Sequence, residues 1–329
     1  MLDNALILVK KNLWFLSGKL LLIGVLSWLI YDRIWVQQVE TGYFDHLYKV
    51  LSGGQLGWLI ACLLLAPINW LLEVIKWKQL TSPFQRLSWK EASQSILAGI
   101  SLGLLTPARF GEYGGRLLHS SAGHRASTLY AHFIGSLSQN IPVFLFGSMA
   151  VAWYFSQFYI ANTLMALSIA FVLLSAAILM ILLFMQHHSL AMWMSRFKWL
   201  KEIKSVQKEV NYTPRILHNV ALLSLFRFLI FVSQYLTLLY LFDLPIEWWQ
   251  ATMGVFVIFV FQSGLPLPPV LGIVARTQLS VVVWSVFAQD QLSMLTVPLL
   301  LYTINLLFPA VIGGIILIGT NYQRQIDHE

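Results

Sequence analysis

Charged side chains are scarce in this sequence. Asp, Glu, Lys and Arg make up 11% of its 329 residues, against 58% hydrophobic ones, which excludes a domain whose surface is solvated by water. Cysteine is nearly missing: Cys62 stands alone inside an apolar run, so an intrachain disulfide framework cannot form and the redox compartment stays open. No low-complexity tract occurs. No phosphate-cradling loop of the nucleotide-hydrolase kind occurs either, so transport powered by ATP hydrolysis within this chain is not expected. His119, His124 and His132 lack metal-ligand spacing and partner carboxylates, and no Ser-His-Asp, Cys-His or paired-carboxylate pattern lies in the apolar runs. No catalytic residue, metal or cofactor is therefore expected.

Long apolar runs are abundant. Six are long enough to cross a bilayer, at about 13–36, 56–76, 126–154, 160–185, 217–242 and 294–319. The first resembles a signal peptide, but it meets Asp32 and Arg33 without a small-residue cleavage pattern, so a retained helix is expected. Two further apolar regions, 92–119 and 250–288, are cut near their middles, the first by Pro107 and Gly111, the second by Pro266, Pro268, Pro269 and Gly272. Their legs are too short to span, and each predicts a re-entrant hairpin. The expected fold is an all-α polytopic membrane protein with about six full spans and two broken hairpins.

The formal net charge of +7 does not indicate nucleic-acid binding, because the basic residues fall between apolar spans and form no basic patch with aromatic interleaving. With the N-terminus inside, 14 of the 21 Lys and Arg lie on the inner face, and only Arg33 and Lys49 lie outside. This asymmetry holds only if each hairpin enters and leaves on one face, the first from the cytoplasmic side and the second from the outer side. Both termini are then cytoplasmic, in a multi-pass protein of the cell membrane. The separations Pro107 to Pro268 and Gly111 to Gly272 are both 161 positions, close to half the chain. Together with element order and loop charge they predict an inverted repeat within one membrane domain, residues 1–160 against 161–329, an architecture that places broken helices around a midplane site. Residues 186–216 read as a basic cytoplasmic linker, amphipathic on an anionic leaflet or simply solvated.

Lys19, Glu73, Arg109, Glu112, Arg116, Arg227 and Arg276 remain within or beside the membrane segments, five basic residues against two acidic. An unpaired cation at that depth costs roughly 3 kcal/mol even on a lenient scale, so the excess requires water, acidic partners or an anionic ligand. Lys19 can snorkel, and Glu73 with Lys76 reads as an intrahelical ion pair. Arg227 has only Gln234 as a strong polar neighbour along its helix and reads either as a helix-to-helix hydrogen-bond donor or as a ligand contact. Arg109, Glu112 and Arg116, at helical spacings of three and four, can share a face with Glu112 between two guanidiniums. Arginine forks near a helix start suit phosphate, whereas a self-satisfied cluster would merely brace the hairpin.

The segment TPARFGEYGGR resembles the proline, arginine, glycine-glutamate and arginine signature of the lysylphosphatidylglycerol synthase/flippase membrane region. LPLPPVLGIVARTQL resembles that family's second Pro-Gly motif, and EVIKWKQL the basic-tryptophan end of its second span. Pro107, Arg109, Gly111, Glu112 and Arg116 match position by position, as do Pro266, Pro268 and Gly272. The sequence departs from the pattern at Pro269 and Val270, where glycines are usual, at Ala275, where an acid is usual, and at Gln139 and Asn140 in place of a charged pair. The resemblance implies a protein that moves lipids, notably aminoacylated phosphatidylglycerol, between leaflets. Some members carry a soluble aminoacyl-transfer domain. With ten residues beyond the last span, no such domain and no lysyl transfer are expected here.

The reading that results is a flippase or lipid transporter for an anionic lipid, aminoacylated or polyprenyl-phosphate in kind, with Arg109, Glu112, Arg116, Arg227 and Arg276 as substrate contacts. The alternatives are a membrane-embedded enzyme with Glu112 as base, or an accessory subunit acting on lipid phosphates. Anionic membrane lipids are the expected partners, with a homo-oligomer or a cytoplasmic partner left open.

Overall fold

The computed structural model describes residues 45, 48, 50, 52–104, 106–159, 163–194, 206, 209–264, 269–288 and 290–319. The first predicted span with Lys19, Pro266 and Pro268, residues 195–205 and 207–208 of the basic linker, and both termini lie outside the described residues. Among those described, the chain forms helices and no strands. In lipid, a helix satisfies every backbone group within its own segment.

Among the described residues, five stretches are long and apolar enough to cross a membrane: α1 (Leu56–Thr81), α4 (Arg125–Phe158), α5 (Thr163–Met185), α7 (Pro214–Leu241), and the run formed by α10 (Gln291–Tyr302) and α11 (Phe308–Gly319). Between them lie α2 (Trp89–Leu104), α3 (Gly111–Arg116), the short α6 (His187–Met194), α8 (Trp248–Ser263) and α9 (Pro269–Trp284). Helix α5 shows how these sequences meet lipid. It buries Ala166, Ala170, Ala177 and Phe184, while Leu164, Phe171 and Val172 project outward. Small residues admit the close approach of α4, and the large apolar ones face hydrocarbon.

Two helical hairpins sit against this frame. In the first, α2 opens on a capping box in which Ser88 N donates to Glu91 Oε2 at 2.8 Å and Glu91 N to Ser88 Oγ at 3.2 Å. The Ser88 bonds hold the exposed Glu91 carboxyl below its ordinary pKa. Helix α3 then folds back along α2, Gly111 meeting Leu102 and Gly115 meeting Gly99. A methyl group on Gly115 would fall 2.1 Å from Gly99 N, so the two legs touch backbone to backbone. In the second hairpin, Gly254 near the start of α8 lies against Trp284 at the end of α9, so these legs also run antiparallel.

Helices α1 and α7 pack side by side and antiparallel, as three contacts along their length record. Tyr212 just before α7 donates to Leu80 O at 3.0 Å, Arg227 meets Asn69, and Gln234 Nε2 donates to Cys62 O at 3.0 Å. The last two bonds settle what surrounds Arg227: Gln234 turns away to the α1 backbone, and the guanidinium finds side chains on α1. Between α10 and α11 the helix widens into a π turn, Thr303–Leu307, packed against α1 and α2.

Candidate functional site: a buried arginine cluster between the hairpin and the spanning helices

The tip of the first hairpin departs from ordinary backbone geometry. Pro107 opens a 3-10 turn, and the next two residues, Ala108 (φ 49°) and Arg109 (φ 60°), both adopt the left-handed conformation. Without glycine this costs roughly 1 kcal/mol or more per residue. Thr106 offsets part of it. Its Oγ1 accepts from Gly111 N at 2.6 Å and so caps the start of α3, a role the sequence reading did not assign. The outcome is that Arg109 is thrown outward, its side chain 44% exposed, and bent back onto Glu112 in an ion pair.

Arg116, one turn further on, points the other way. It is 5% exposed, and its Nη2 lies 2.6 Å from Glu73 Oε1 on α1, with its guanidinium 4.7 Å from the centre of the Trp77 ring. The expectation that Glu112 would stand between Arg109 and Arg116 is thus half met: Glu112 holds Arg109, and Glu73 holds Arg116. A 3-10 turn and six residues of α3 do not continue one regular helical face from Arg109 to Arg116.

Glu73 is the centre that sequence reasoning missed. The expected pair with Lys76 is present at 2.8 Å, but the same carboxylate also takes Arg116 from α3 and Arg227 from α7. Around it, Arg227 Nε donates to Asn69 Oδ1 at 2.8 Å, and Gln139 Oε1 on α4 accepts from Arg227 Nη1 at 3.0 Å and from Lys76 Nζ at 3.1 Å. Gln139, noted in the sequence as a departure from a charged pair, therefore supplies an uncharged acceptor to two cations. Its spacing carried no signal of this, because the partners come from two other helices, α1 and α7.

The cluster is under-satisfied on the donor side. Arg116 Nε and Nη1 and Asn69 Nδ2 are buried without hydrogen-bond partners. A buried donor left unmet costs about 1–3 kcal/mol, so these groups are built to receive acceptor atoms. His132 borders the cluster, with its Nε2 3.8 Å from Glu112 Oε2, beyond hydrogen-bond reach, and its ring edge-on to Tyr113 at 4.4 Å. From the second hairpin, α9, which carries Arg276, packs against the Pro107–Arg109 turn. Arg276 has a buried Nε without a partner.

The geometry thus gathers Arg109, Glu112, Arg116, Arg227 and Arg276 into one electrostatic neighbourhood, with Pro107 and Gly111 shaping the first hairpin and Gly272 buried in α9. Among the described residues, Lys76, Arg109, Arg116 and Arg227 pair with two carboxylates, Glu73 and Glu112, and Arg276 on α9 adds a fifth cation without a carboxylate partner. Among the described residues no group of His, Cys, Asp and Glu is arranged to hold a metal.

No curated relative matches this chain. The model of one family, however, the lysylphosphatidylglycerol synthase TM region, matches residues 16–313, nearly the whole sequence. Broken hairpin, buried arginines and that match agree, and the chain belongs to the lysylphosphatidylglycerol synthase transmembrane-region family.

Proposed function

We propose that this multi-pass membrane protein is a flippase or lipid transporter that passes an anionic headgroup through the arginine cluster while the acyl chains stay in lipid. The observation that carries the reading is the positive excess. Four cations share two carboxylates among the described residues, beside helices long enough to span a membrane, and such an excess is costly there unless an anion or water completes it. Unmet donors on Arg116 and Asn69 support the same reading.

The two hairpins are read as re-entrant, entering from opposite faces, within an inverted repeat of residues 1–160 and 161–329. Support comes from matched lengths. Helices α1 and α7 have 26 and 28 residues, and the first legs α2 and α8 have 16 each. The matched pair α1 and α7 also runs antiparallel, as an inverted pair must. In such a repeat the site lies where the hairpin tips meet, and alternating access rocks one half against the other. Basic residues concentrated in the loops assigned to the inner face support a reading with both termini on the cytoplasmic side of the cell membrane.

Reconstitution tests this directly. Full-length protein in vesicles is expected to speed loss of a fluorescent anionic lipid from the protected leaflet. Arg109→Gln, which removes one charge-assisted contact worth about 1.5–3 kcal/mol, is expected to slow it roughly tenfold or more. If no anionic lipid is moved faster than in empty vesicles, and the Arg109 variant behaves as the parent does, the transporter reading fails.

A further inference from the structure

The chemistry of the cluster also discriminates among anionic headgroups, an inference that rests on the transporter reading above. Three features bear on it. First, both carboxylates are already committed: Glu73 to Lys76, Arg116 and Arg227, and Glu112 to Arg109. An incoming ammonium group would find no carboxylate to receive it among the described residues of the site, in a field that is already positive by three charges, five cations less two carboxylates.

Second, Arg276 on α9 has no carboxylate partner among the described residues, and its buried Nε meets no hydrogen-bond acceptor. The helix that carries it packs against the turn that carries Arg109. Third, Arg109 is the accessible member of the cluster, its side chain 44% exposed, whereas Arg116 is 5% exposed behind it. Two like charges from two hairpins, one half-exposed and one with an unmet buried Nε, suit a doubly charged oxyanion. A phosphodiester brings one negative charge, and a phosphomonoester brings nearly two at neutral pH. Guanidinium forks add bidentate geometry to either.

We infer that Arg109 and Arg276 form a two-hairpin clamp for a lipid bearing a phosphomonoester or diphosphate headgroup, and that aminoacylated phospholipids are disfavoured by the cluster. In this arrangement Arg116, Arg227 and Lys76 with Glu73 set the positive field behind the clamp. The ligand bridges the hairpins and gives an anionic partner to Arg109 on one and to Arg276 on the other.

The test is a binding series on the full-length chain in detergent, read by native mass spectrometry. It uses short-chain phosphatidic acid and farnesyl diphosphate against phosphatidylglycerol and lysylphosphatidylglycerol, with inorganic diphosphate as competitor. The monoester and diphosphate lipids are expected to bind at least tenfold more tightly than phosphatidylglycerol, and lysylphosphatidylglycerol more weakly still. Arg276→Gln and Arg109→Gln, each separately, are expected to reduce that preference to about threefold or less. A preference that survives in Arg276→Gln overturns the clamp even if that variant binds all lipids well. Equal or tighter binding of lysylphosphatidylglycerol overturns the headgroup assignment, and vesicles that translocate that lipid would then leave the transporter reading standing without it. Inorganic diphosphate binding as tightly as the lipid form overturns the lipid source of the anion.

Discussion

Glu73 receives cations from α1, α3 and α7, and those three contacts tie the first hairpin to the spanning frame. Removing the carboxylate leaves three cations facing one another in a poorly solvated place, and breaking a buried ion pair costs about 3–5 kcal/mol. Glu73→Gln is therefore expected to unfold in detergent well below the parent. Lys76→Met should do far less harm, since Arg116 and Arg227 keep their shared partner. Thermal unfolding of the two variants decides it: equal midpoints would show that Glu73 is an ordinary intrahelical partner of Lys76. The sequence displays the three-residue spacing of Glu73 and Lys76. It cannot display Arg116, 43 positions away, or Arg227, 154 positions away, because no helical period relates them.

At the scale of elements, the hairpin depends on the absence of side chains where its legs meet. Gly99 and Gly103 on α2 face Gly115 and Glu112 on α3, and Gly111 meets Leu102. A methyl group at Gly111 would lie 2.2 Å from Leu102 O, and one at Gly115 2.1 Å from Gly99 N. Backbone cannot yield as a flexible side-chain end does, so Gly115→Ala should force the legs apart. The expected loss is about 1–3 kcal/mol, together with displacement of Arg116 from Glu73. Gly123→Ala, where nothing lies within 4 Å, serves as the control. Limited proteolysis after Arg109 or Arg116 reports opening of the hairpin, and a Gly115→Ala chain as resistant as the control would contradict this packing. The break at Pro107 was legible from sequence. The left-handed pair Ala108 and Arg109 was not, since neither residue favours that conformation and only the bond from Gly111 N to Thr106 and the closure of α3 on α2 hold it there.

For the whole molecule, the proposed inversion makes a topological prediction. Position 123 precedes α4 and position 247 precedes α8, and both are exposed. If the hairpins enter from opposite faces, Glu247→Cys should react with a membrane-impermeant maleimide in intact cells, and Gly123→Cys only after lysis. The native Cys62 is buried and should stay unlabelled in both. Labelling of the two positions from the same side would refute opposed hairpins, whatever the transport assay gives.

By itself the sequence determined the solvent, the helical class and the place of the first chain break. Scarce charge, apolar runs of spanning length and Pro107 act locally, and a bilayer leaves a chain of this kind little besides helices. It also determined that cations outnumber carboxylates, because that is a count. The tertiary structure decided who pairs with whom. Arg116 passes over Glu112, its sequence neighbour, for Glu73; Arg227 passes over Gln234 for Asn69, Glu73 and Gln139. The helix of Arg276 comes to pack against the turn of Arg109. Buried charges choose partners by distance in space, where desolvation makes each unmet group costly, and distance in space is set by how α1, α4 and α7 pack around the hairpin.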